Sequence, residues 1–157
     1  MVQKEKTIRW GIIGLGNIAH KFAQDLLKIE DAQLYAVASR TQEKAAEFAS
    51  KYAVSHIYGS YEELVNDSNI HAVYIATPHA LHKENTLLCL EKGIAVLCEK
   101  PFAMNAGEVE IMISKAKEKK VLLMEALWTS FFSLFGWVLG WLRLWLHKLG
   151  VGASVDI

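Results

Sequence analysis

The chain has 157 residues, of which 52% are hydrophobic and 22% are charged, so a globular domain with its own core is expected rather than a disordered chain. Lysine and arginine together number 17, as do aspartate and glutamate, and this balance argues against a nucleic-acid partner, which needs a basic surface. Two cysteines, Cys89 and Cys98, are too few for a disulfide framework, and residues 1–6 lack the apolar core of an export signal, so we expect buried free thiols and a cytoplasmic location.

The first predicted strand is followed by a glycine-rich turn and a helix, in the order that a dinucleotide-binding site requires. Gly14, Gly16 and Ala19 supply the G-x-G-x-x-A pattern of that turn. Gly14 permits a tight turn with positive φ, and Gly16 lets a pyrophosphate approach the main chain because it has no Cβ. The N–H groups of Asn17 and Ile18 at the helix start would then face the anion. Glycine-rich turns are common, so this pattern needs support from the elements around it.

Strand-like and helix-like segments alternate along the rest of the chain. Short apolar runs predict strands, and apolar residues spaced three and four apart predict helices between them. We expect strands at 7–13, 33–39, 56–58, 71–76, 94–97 and 121–124. We expect helices at 17–28, 42–52, 61–66, 81–92 and 106–119. This alternation is typical of the α/β class, here a Rossmann-like doubly wound parallel sheet, followed by an apolar helical tail.

Local signals mark several helix ends. Thr41 is a suitable N-cap, and Ser60 with Glu63 has the spacing of a capping box. Gly93 is expected to close the fourth helix in the left-handed conformation. The last helix is expected to be amphipathic, with apolar side chains at Val109, Ile111, Met112, Ile113 and Ala116.

Four polar segments follow predicted strand ends. They are the glycine turn, Ser39-Arg40, Thr77 to His82 and Glu99-Lys100-Pro101. In doubly wound sheets, ligands bind in the crevice beyond the carboxyl ends of the strands. The shared placement therefore predicts one composite site.

The end of the second strand normally contacts the adenosine ribose of a dinucleotide. An acidic residue there favours NAD, whereas a basic or small polar residue accommodates the 2′-phosphate of NADP. This chain has Ser39 and Arg40 at that point, and Lys44 follows one turn into the next helix. We therefore expect NADP as cofactor, with NAD possible, and the absence of an acid also disfavours a methyltransferase that uses S-adenosylmethionine. In the alternative interpretation, Arg40 and Lys44 belong to a solvated rim.

An ordered set of motifs resembles a known family. The set comprises 11–19, 38–40, 58–64, 77–82 and Glu99-Lys100-Pro101. In this order they resemble the N-terminal half of the Gfo/Idh/MocA oxidoreductases, over roughly residues 7–135. Residues 124–129, MEALWT, look most like the dihydrodiol dehydrogenase branch.

The resemblance implies a nicotinamide-dependent oxidation of a sugar, polyol or diol, or the reverse reduction. Lys100 would be the catalytic residue, beside the nicotinamide and the reacting C–O group, where it helps to move a proton. The hydride chemistry belongs to the cofactor. An ordinary surface lysine at a strand end is the alternative for Lys100.

The resemblance also implies further residues at the cofactor. Glu99, Thr77, His79 and His82 would border it, and Trp128 would pack near the nicotinamide end. For each histidine a structural or solvent role is the alternative, and for Trp128 it is a place in the core. We expect no metal site, because His79 and His82 form the one close histidine pair and lack a third ligand at a convincing spacing.

The sequence divides into a cofactor domain, 1–128, and a segment, 129–157, expected to be an apolar helix and the start of a truncated second domain. Related chains resemble an amphipathic helix in this segment, and Ser130 and Ser133 stand where Arg and Pro are expected in the dihydrodiol dehydrogenase branch. The tail could be a helix that packs on the sheet or on a neighbouring element. Alternatively, the chain is truncated and the tail is no longer under selection for one apolar helix face. Its stripe of Trp137, Trp141 and Trp145 would favour self-association if exposed. A membrane span is disfavoured, because an apolar run of about 20 residues is needed and Arg143 interrupts this one.

The alternative to an active oxidoreductase is a nucleotide-binding fragment without independent catalytic activity.

Overall fold

A computed structural model describes residues 7–126 of the chain. Within this range the strands are β1 (Ile8–Ile13), β2 (Ala32–Ala38), β3 (His56–Tyr58), β4 (Ala72–Ile75), β5 (Ala95–Glu99) and β6 (Leu123–Ala126). The helices are α1 (Asn17–Leu26), α2 (Gln42–Tyr52), α3 (Tyr61–Val65), α4 (His82–Glu91) and α5 (Ala106–Lys119), and a 3₁₀ turn, His79–Leu81, precedes α4. The predicted apolar tail lies outside the described residues.

The strands form one sheet in the order β3-β2-β1-β4-β5-β6, and every neighbouring pair is parallel. This is the order of a Rossmann fold, so the predicted α/β class and doubly wound sheet are confirmed. From β1 the strands are added outward in one direction to β3, and from β4 they are added in the opposite direction to β6, so the junction between β1 and β4 is the topological switch point. A ligand crevice is expected there, beyond the carboxyl ends of the strands.

The central strands are buried because helices cover both faces of the sheet. All four residues of β4 are buried, as the continuous apolar run predicted. Ile13 at the end of β1 is paired with Ala38 of β2 and with Ile75 of β4. The carboxyl ends of three strands therefore lie side by side, and the segments that follow them share one edge.

The predicted helix caps are present. The Thr41 hydroxyl accepts the Lys44 N–H at 3.5 Å, and the Ser60 hydroxyl accepts the Glu63 N–H at 3.2 Å. The Glu63 carboxylate in turn accepts the N–H of Gly59, one residue before the expected partner in a capping box. These contacts set where α2 and α3 begin.

Some predicted boundaries were wrong by a few residues. Helix α1 ends at Leu26 rather than 28, and β6 begins at Leu123 rather than 121. At the second point Lys120 adopts a left-handed conformation (φ 56°), and the N–H of Val121 bonds to the Ala116 carbonyl at 2.9 Å. Val121 therefore completes the end of α5 and is not part of the strand.

Helix α5 is less amphipathic than predicted. Met112 and Ala116 are buried, but Ile111 is 51% exposed and Ile113 is 39% exposed. The helix buries only a narrow stripe against the rest of the domain. The periodicity thus identified the helix correctly but overstated the width of its buried face.

Both cysteines are buried free thiols in the structure. Burial raises the pKa of the Cys89 thiol, and it raises that of Cys98 to about 12. Within residues 7–126, no group of three or more His, Cys, Asp or Glu side chains is arranged so that it could bind a metal ion. Among the helices of this same range, none has the length and hydropathy that a membrane span requires.

Candidate functional site at the switch point

The two glycines of the first turn serve different purposes. Gly14 has φ +86°, and a Cβ there would lie 2.7 Å from the Ala76 carbonyl carbon and the Thr77 nitrogen. The loops after β1 and β4 can therefore approach this closely only with glycine at 14. At Gly16, by contrast, a Cβ would meet no heavy atom within 4 Å among the described residues.

The open space at Gly16 lies at the start of α1, where Gly16 is the N-cap and provides no side-chain hydrogen bond. The first N–H groups of a helix lack partners within the helix, and together with the helix dipole they favour an anion. A glycine that the protein's own packing does not require, beside unpaired N–H groups, fits the approach of a pyrophosphate. The residues present therefore suit the dinucleotide that the turn predicts.

The first pocket lies beyond the ends of β1 and β2 and has a volume of about 800 Å³. Gly14 and Gly16 form part of its wall. Its polar and charged wall residues are His20, Ser39, Arg40, Thr41, Lys44, Glu47, Lys51, Tyr61 and Thr77. Burial raises the pKa of the Tyr61 phenol, and the positive charge of Arg40 opposes that rise. Arg40, Lys44 and Lys51 place three cationic side chains in the wall of this pocket. The pocket extends beyond the end of the second strand, where the ribose of a dinucleotide would lie.

A second pocket of about 490 Å³ lies beyond the ends of β4 and β5. It shares Ala76, Thr77 and Pro78 with the first pocket, so the two are neighbouring parts of one crevice. Its other wall residues are Ile18, His79, His82, Glu99 and Lys100. The crevice thus runs from the glycine turn to the lysine after β5.

The loop that carries Lys100 is held by three side chains from three elements. The Lys100 N–H donates to the Glu99 carboxylate at 3.2 Å, and the Pro101 carbonyl is 2.9 Å from Nδ1 of His82. The Phe102 N–H donates to the carboxylate of Glu125 in β6 at 3.0 Å. The Lys100–Pro101 peptide is cis. These contacts fix the backbone from which the exposed Lys100 side chain extends.

His82 connects this loop to the one after β4. The ring is buried, and its Nε2 lies 2.9 Å from the Thr77 carbonyl while Nδ1 contacts the Pro101 carbonyl. Thr77 is held a second time, because its hydroxyl accepts from the Asn85 amide at 3.0 Å. Helix α4 therefore holds both loops that border the second pocket.

Glu99 is buried and receives a hydrogen bond from the Tyr74 hydroxyl of the neighbouring strand β4. Tyr74 is itself buried, with its ring stacked on Phe22 of α1 at 3.8 Å between centroids. Burial raises the pKa of Tyr74, and the hydrogen bond to Glu99 raises it further, so Tyr74 stays a donor. The neighbouring strand β4 thus orients the Glu99 carboxylate through the Tyr74 hydroxyl.

The structure brings most residues of the predicted site together. The first pocket contains Gly14, Gly16, Ser39, Arg40, Lys44 and Thr77, and the second contains Ile18, Thr77, His79, His82, Glu99 and Lys100. Asn17 is exposed at the first position of α1 and lines neither pocket. Trp128 lies outside the described residues.

Sequence reasoning did not assign His20, Phe48 and Lys51 to the site, although all three line the first pocket. Helical spacing contains the signal. His20 follows Gly16 by four residues, and Lys51 follows Lys44 by seven, so each pair shares a helix face. Extending the glycine turn and the Lys44 face by one helical turn would have identified them.

Comparison with known proteins gives the family and the fold to which this chain is similar. The model of the Gfo/Idh/MocA oxidoreductase family, described as an NAD-binding Rossmann fold, matches residues 8–127. Trans-1,2-dihydrobenzene-1,2-diol dehydrogenase of Mus musculus is 50% identical over 127 residues, which are 80% of this chain and 38% of that protein. An NADP(+)-dependent scyllo-inositol 2-dehydrogenase of Bacillus subtilis is 46% identical over 143 residues, 91% of this chain and 42% of its own length.

Solved structures show the same fold. The 3-ketoreductase KijD10 of Actinomadura kijaniata, in complex with TDP-benzene and NADP, superposes with a TM-score of 0.74 at 30% identity. The superposition covers 76% of this chain and 38% of that one. The chain thus spans about two fifths of the length of these relatives. With the parallel sheet, the glycine turn and the family match over residues 8–127, the chain belongs to the Gfo/Idh/MocA oxidoreductase family, whose NAD-binding Rossmann domain it contains.

Proposed function

We propose that residues 1–128 bind NADP(H) in preference to NAD(H), as the cofactor domain of an oxidoreductase acting on a sugar, polyol or diol. The observation that carries the proposal is the crevice beyond four strand ends, with cations at one end and Lys100 at the other. The pyrophosphate would lie at the glycine turn, with Asn17 and Ile18 presenting N–H groups. Ser39, Arg40 and Lys44 would surround the 2′-phosphate, since Arg binds phosphate in a bidentate manner.

The names of relatives support the cofactor and the substrate class. The Bacillus relative is named as an NADP(+) enzyme acting on an inositol, and the Mus relative as a dehydrogenase of a diol. The nicotinamide supplies the hydride chemistry when bound. Nζ of Lys100 would hydrogen-bond the substrate oxygen and transfer its proton as the C–O bond changes order, a contribution of about 10² to 10⁴ in rate.

The contacts around Lys100 support this role. Glu99, His82 and Glu125 contact backbone groups of three consecutive residues, 100–102, so the lysine side chain extends from a backbone that is held in place. His79 and Thr77 border the same pocket and would contact the nicotinamide half. Trp128 stays a predicted neighbour of the nicotinamide. The buried free thiols support a reducing, cytoplasmic location.

The test is a fluorescence titration of the chain with NADPH and then NADH. The wild type should bind NADPH more tightly, and Arg40→Asp should weaken NADPH binding by about 10-fold or more while affecting NADH much less. Lys117→Asp, an exposed charge reversal on α5 that lines neither pocket, is the matched control and should bind both nucleotides as the wild type does. Equal affinity for the two nucleotides, unaffected by Arg40→Asp, would contradict the assignment of the 2′-phosphate site.

The second candidate is a nucleotide-binding module that does not turn over substrate by itself. It is favoured by the exposure of Lys100 in the described structure, because proton and hydride transfer need a closed site and a positioned substrate. Turnover with a panel of sugars and diols separates the candidates. If the wild type is no faster than Lys100→Met with any of them while NADPH still binds, the chain is a binding module.

A further inference from the structure

His20 is a residue of the first pocket that the glycine-turn pattern does not assign. It lies in the first turn of α1, and its ring is fixed against α2. Nδ1 is 2.8 Å from the Tyr52 hydroxyl, and the ring packs on Phe48 with 4.5 Å between centroids and 31° between planes. The imidazole therefore has one defined orientation in the pocket wall.

The Tyr52 hydroxyl also determines where the ring proton lies. The hydroxyl is 3.3 Å from the backbone carbonyl of His20, to which it donates its one hydrogen. Its oxygen must then accept from Nδ1–H of the ring for both contacts to be hydrogen bonds. With Nδ1 protonated, Nε2 is an acceptor in the neutral ring and a donor in the cation. In residues 7–126 the recorded hydrogen bonds of the ring involve Nδ1 alone, which leaves Nε2 for a guest in the pocket.

The charged surroundings of His20 are mostly positive. Besides α1 itself, three elements contribute titratable or charged groups to this pocket wall: the loop after β2, helix α2 and helix α3. These groups are Arg40, Lys44, Glu47, Lys51, Tyr61 and, against the ring, Tyr52. Glu47 is paired with Lys51 at 3.1 Å, so its charge is already matched. An anion in this pocket would enter a space whose wall contains both His20 and these cationic side chains.

We propose that His20 binds the 2′-phosphate of NADP(H) in its protonated form and makes NADPH affinity dependent on pH; this rests on the proposed function. In the neutral ring, the lone pair of Nε2 opposes the phosphate oxygens. In the cation, Nε2–H donates a charge-assisted hydrogen bond, and the phosphate dianion favours the added positive charge. NADPH binding therefore takes up a proton, and NADH binding, which lacks this phosphate, does not.

The experiment measures the dissociation constants of NADPH and NADH from about pH 8 to pH 6.5, the range in which histidines ordinarily change charge. The wild type should gain about tenfold in NADPH affinity across this range, measured relative to His20→Gln. The 2′-phosphate has a second ionisation near pH 6, and the comparison removes it because both proteins bind the same ligand. NADH should show the same pH dependence in both proteins.

His56→Gln is the matched control, because His56 stacks on Tyr35 and lines neither pocket. It should keep the wild-type pH profile for both nucleotides. Tyr52→Phe retains the ring packing but removes the acceptor that holds Nδ1–H, so the pH-dependent gain in NADPH affinity should be smaller than in the wild type. Imidazole ¹⁵N NMR gives a readout independent of affinity, in which NADP⁺ should convert His20 Nε2 to its protonated form at pH 7.5.

The outcomes distinguish this inference from the proposal on which it rests. A wild type that binds neither nucleotide overturns both. NADPH binding with parallel pH profiles for wild type and His20→Gln overturns the role of His20 alone. If His20→Gln changes the NADPH and NADH profiles equally, His20 acts on the pyrophosphate, which also overturns a 2′-phosphate role.

Discussion

Gly14 and Gly16 show how two identical residues in one turn meet different physical demands. Gly14 is required by the protein itself, because it has positive φ and contacts the backbone after β4. Gly16 has extended backbone and open space where a side chain would be. A stability measurement and a binding measurement should therefore separate the two glycines.

We predict that Gly14→Ala lowers the free energy of unfolding by about 1–3 kcal/mol or more, since a Cβ adds a backbone clash to the strained φ. Gly16→Ala should cost less than about 1 kcal/mol, the scale of an N-cap change. Both should weaken NADPH binding, the first through a displaced turn and the second through a methyl group in the pyrophosphate path. Urea unfolding and the NADPH titration test this, and equal losses of stability would contradict it.

At the scale of secondary-structure elements, a carboxylate shared by two lysines joins α4 to α5. Glu91 accepts from Lys115 at 2.7 Å and from Lys119 at 2.5 Å. These two hydrogen bonds lower the pKa of Glu91 from its ordinary 4.5 to about 2. These ion pairs connect the C-terminal end of α4 to the last turns of α5, beside the buried residues Met112 and Ala116.

This pKa predicts a specific pH dependence of stability. A carboxylate whose pKa is lowered by folding stabilises the protein above pH 4.5, and the contribution is lost as the pH falls toward about 2. Glu91→Gln should therefore melt below the wild type at pH 7, and the difference in Tm should shrink between about pH 5 and pH 2. High salt should also reduce it, because the pair is partly exposed. A Tm difference that is independent of pH would show that the charge of Glu91 is not responsible.

At the scale of the whole molecule, the crevice joins the two halves of the sheet across the switch point. Its walls come from the ends of β1 and β2 on one side and of β4 and β5 on the other. A ligand that contacts both halves binds the folded state and not the unfolded chain. Binding must then raise the stability of the entire domain.

We predict that NADPH at about 100 times its dissociation constant stabilises the chain by about 2.7 kcal/mol and raises Tm by about 5–10 °C. Calorimetry over a series of NADPH concentrations measures this. Arg40→Asp at the same NADPH concentration should show a smaller rise, since fewer of its sites are filled. A rise in Tm that does not depend on NADPH concentration would exclude binding to the folded state as its cause.

Local sequence determined the helices and strands of this protein and the strand ends at which the residues of the candidate site lie. Strands and helices were predicted from periodicity, and Thr41 and Ser60 were predicted as caps from a few neighbouring residues. Because parallel strands share one edge for their carboxyl ends, motif positions along the chain sufficed to predict a common site. The glycine turn, Arg40 and Lys100 were found in this way, because each follows a strand directly.

Only the tertiary structure decided which side chains hold these groups. His82 contacts Pro101 across 19 residues, Tyr74 contacts Glu99 across 25, and His20 contacts Tyr52 across 32. It also decided that Ile111 is exposed on α5, although its spacing predicts burial. Such contacts depend on which strands are neighbours and how closely helices pack, and no periodic signal in the sequence encodes either. The sequence alone therefore determined where the chemistry lies, and the packing of distant elements decided how its groups are positioned.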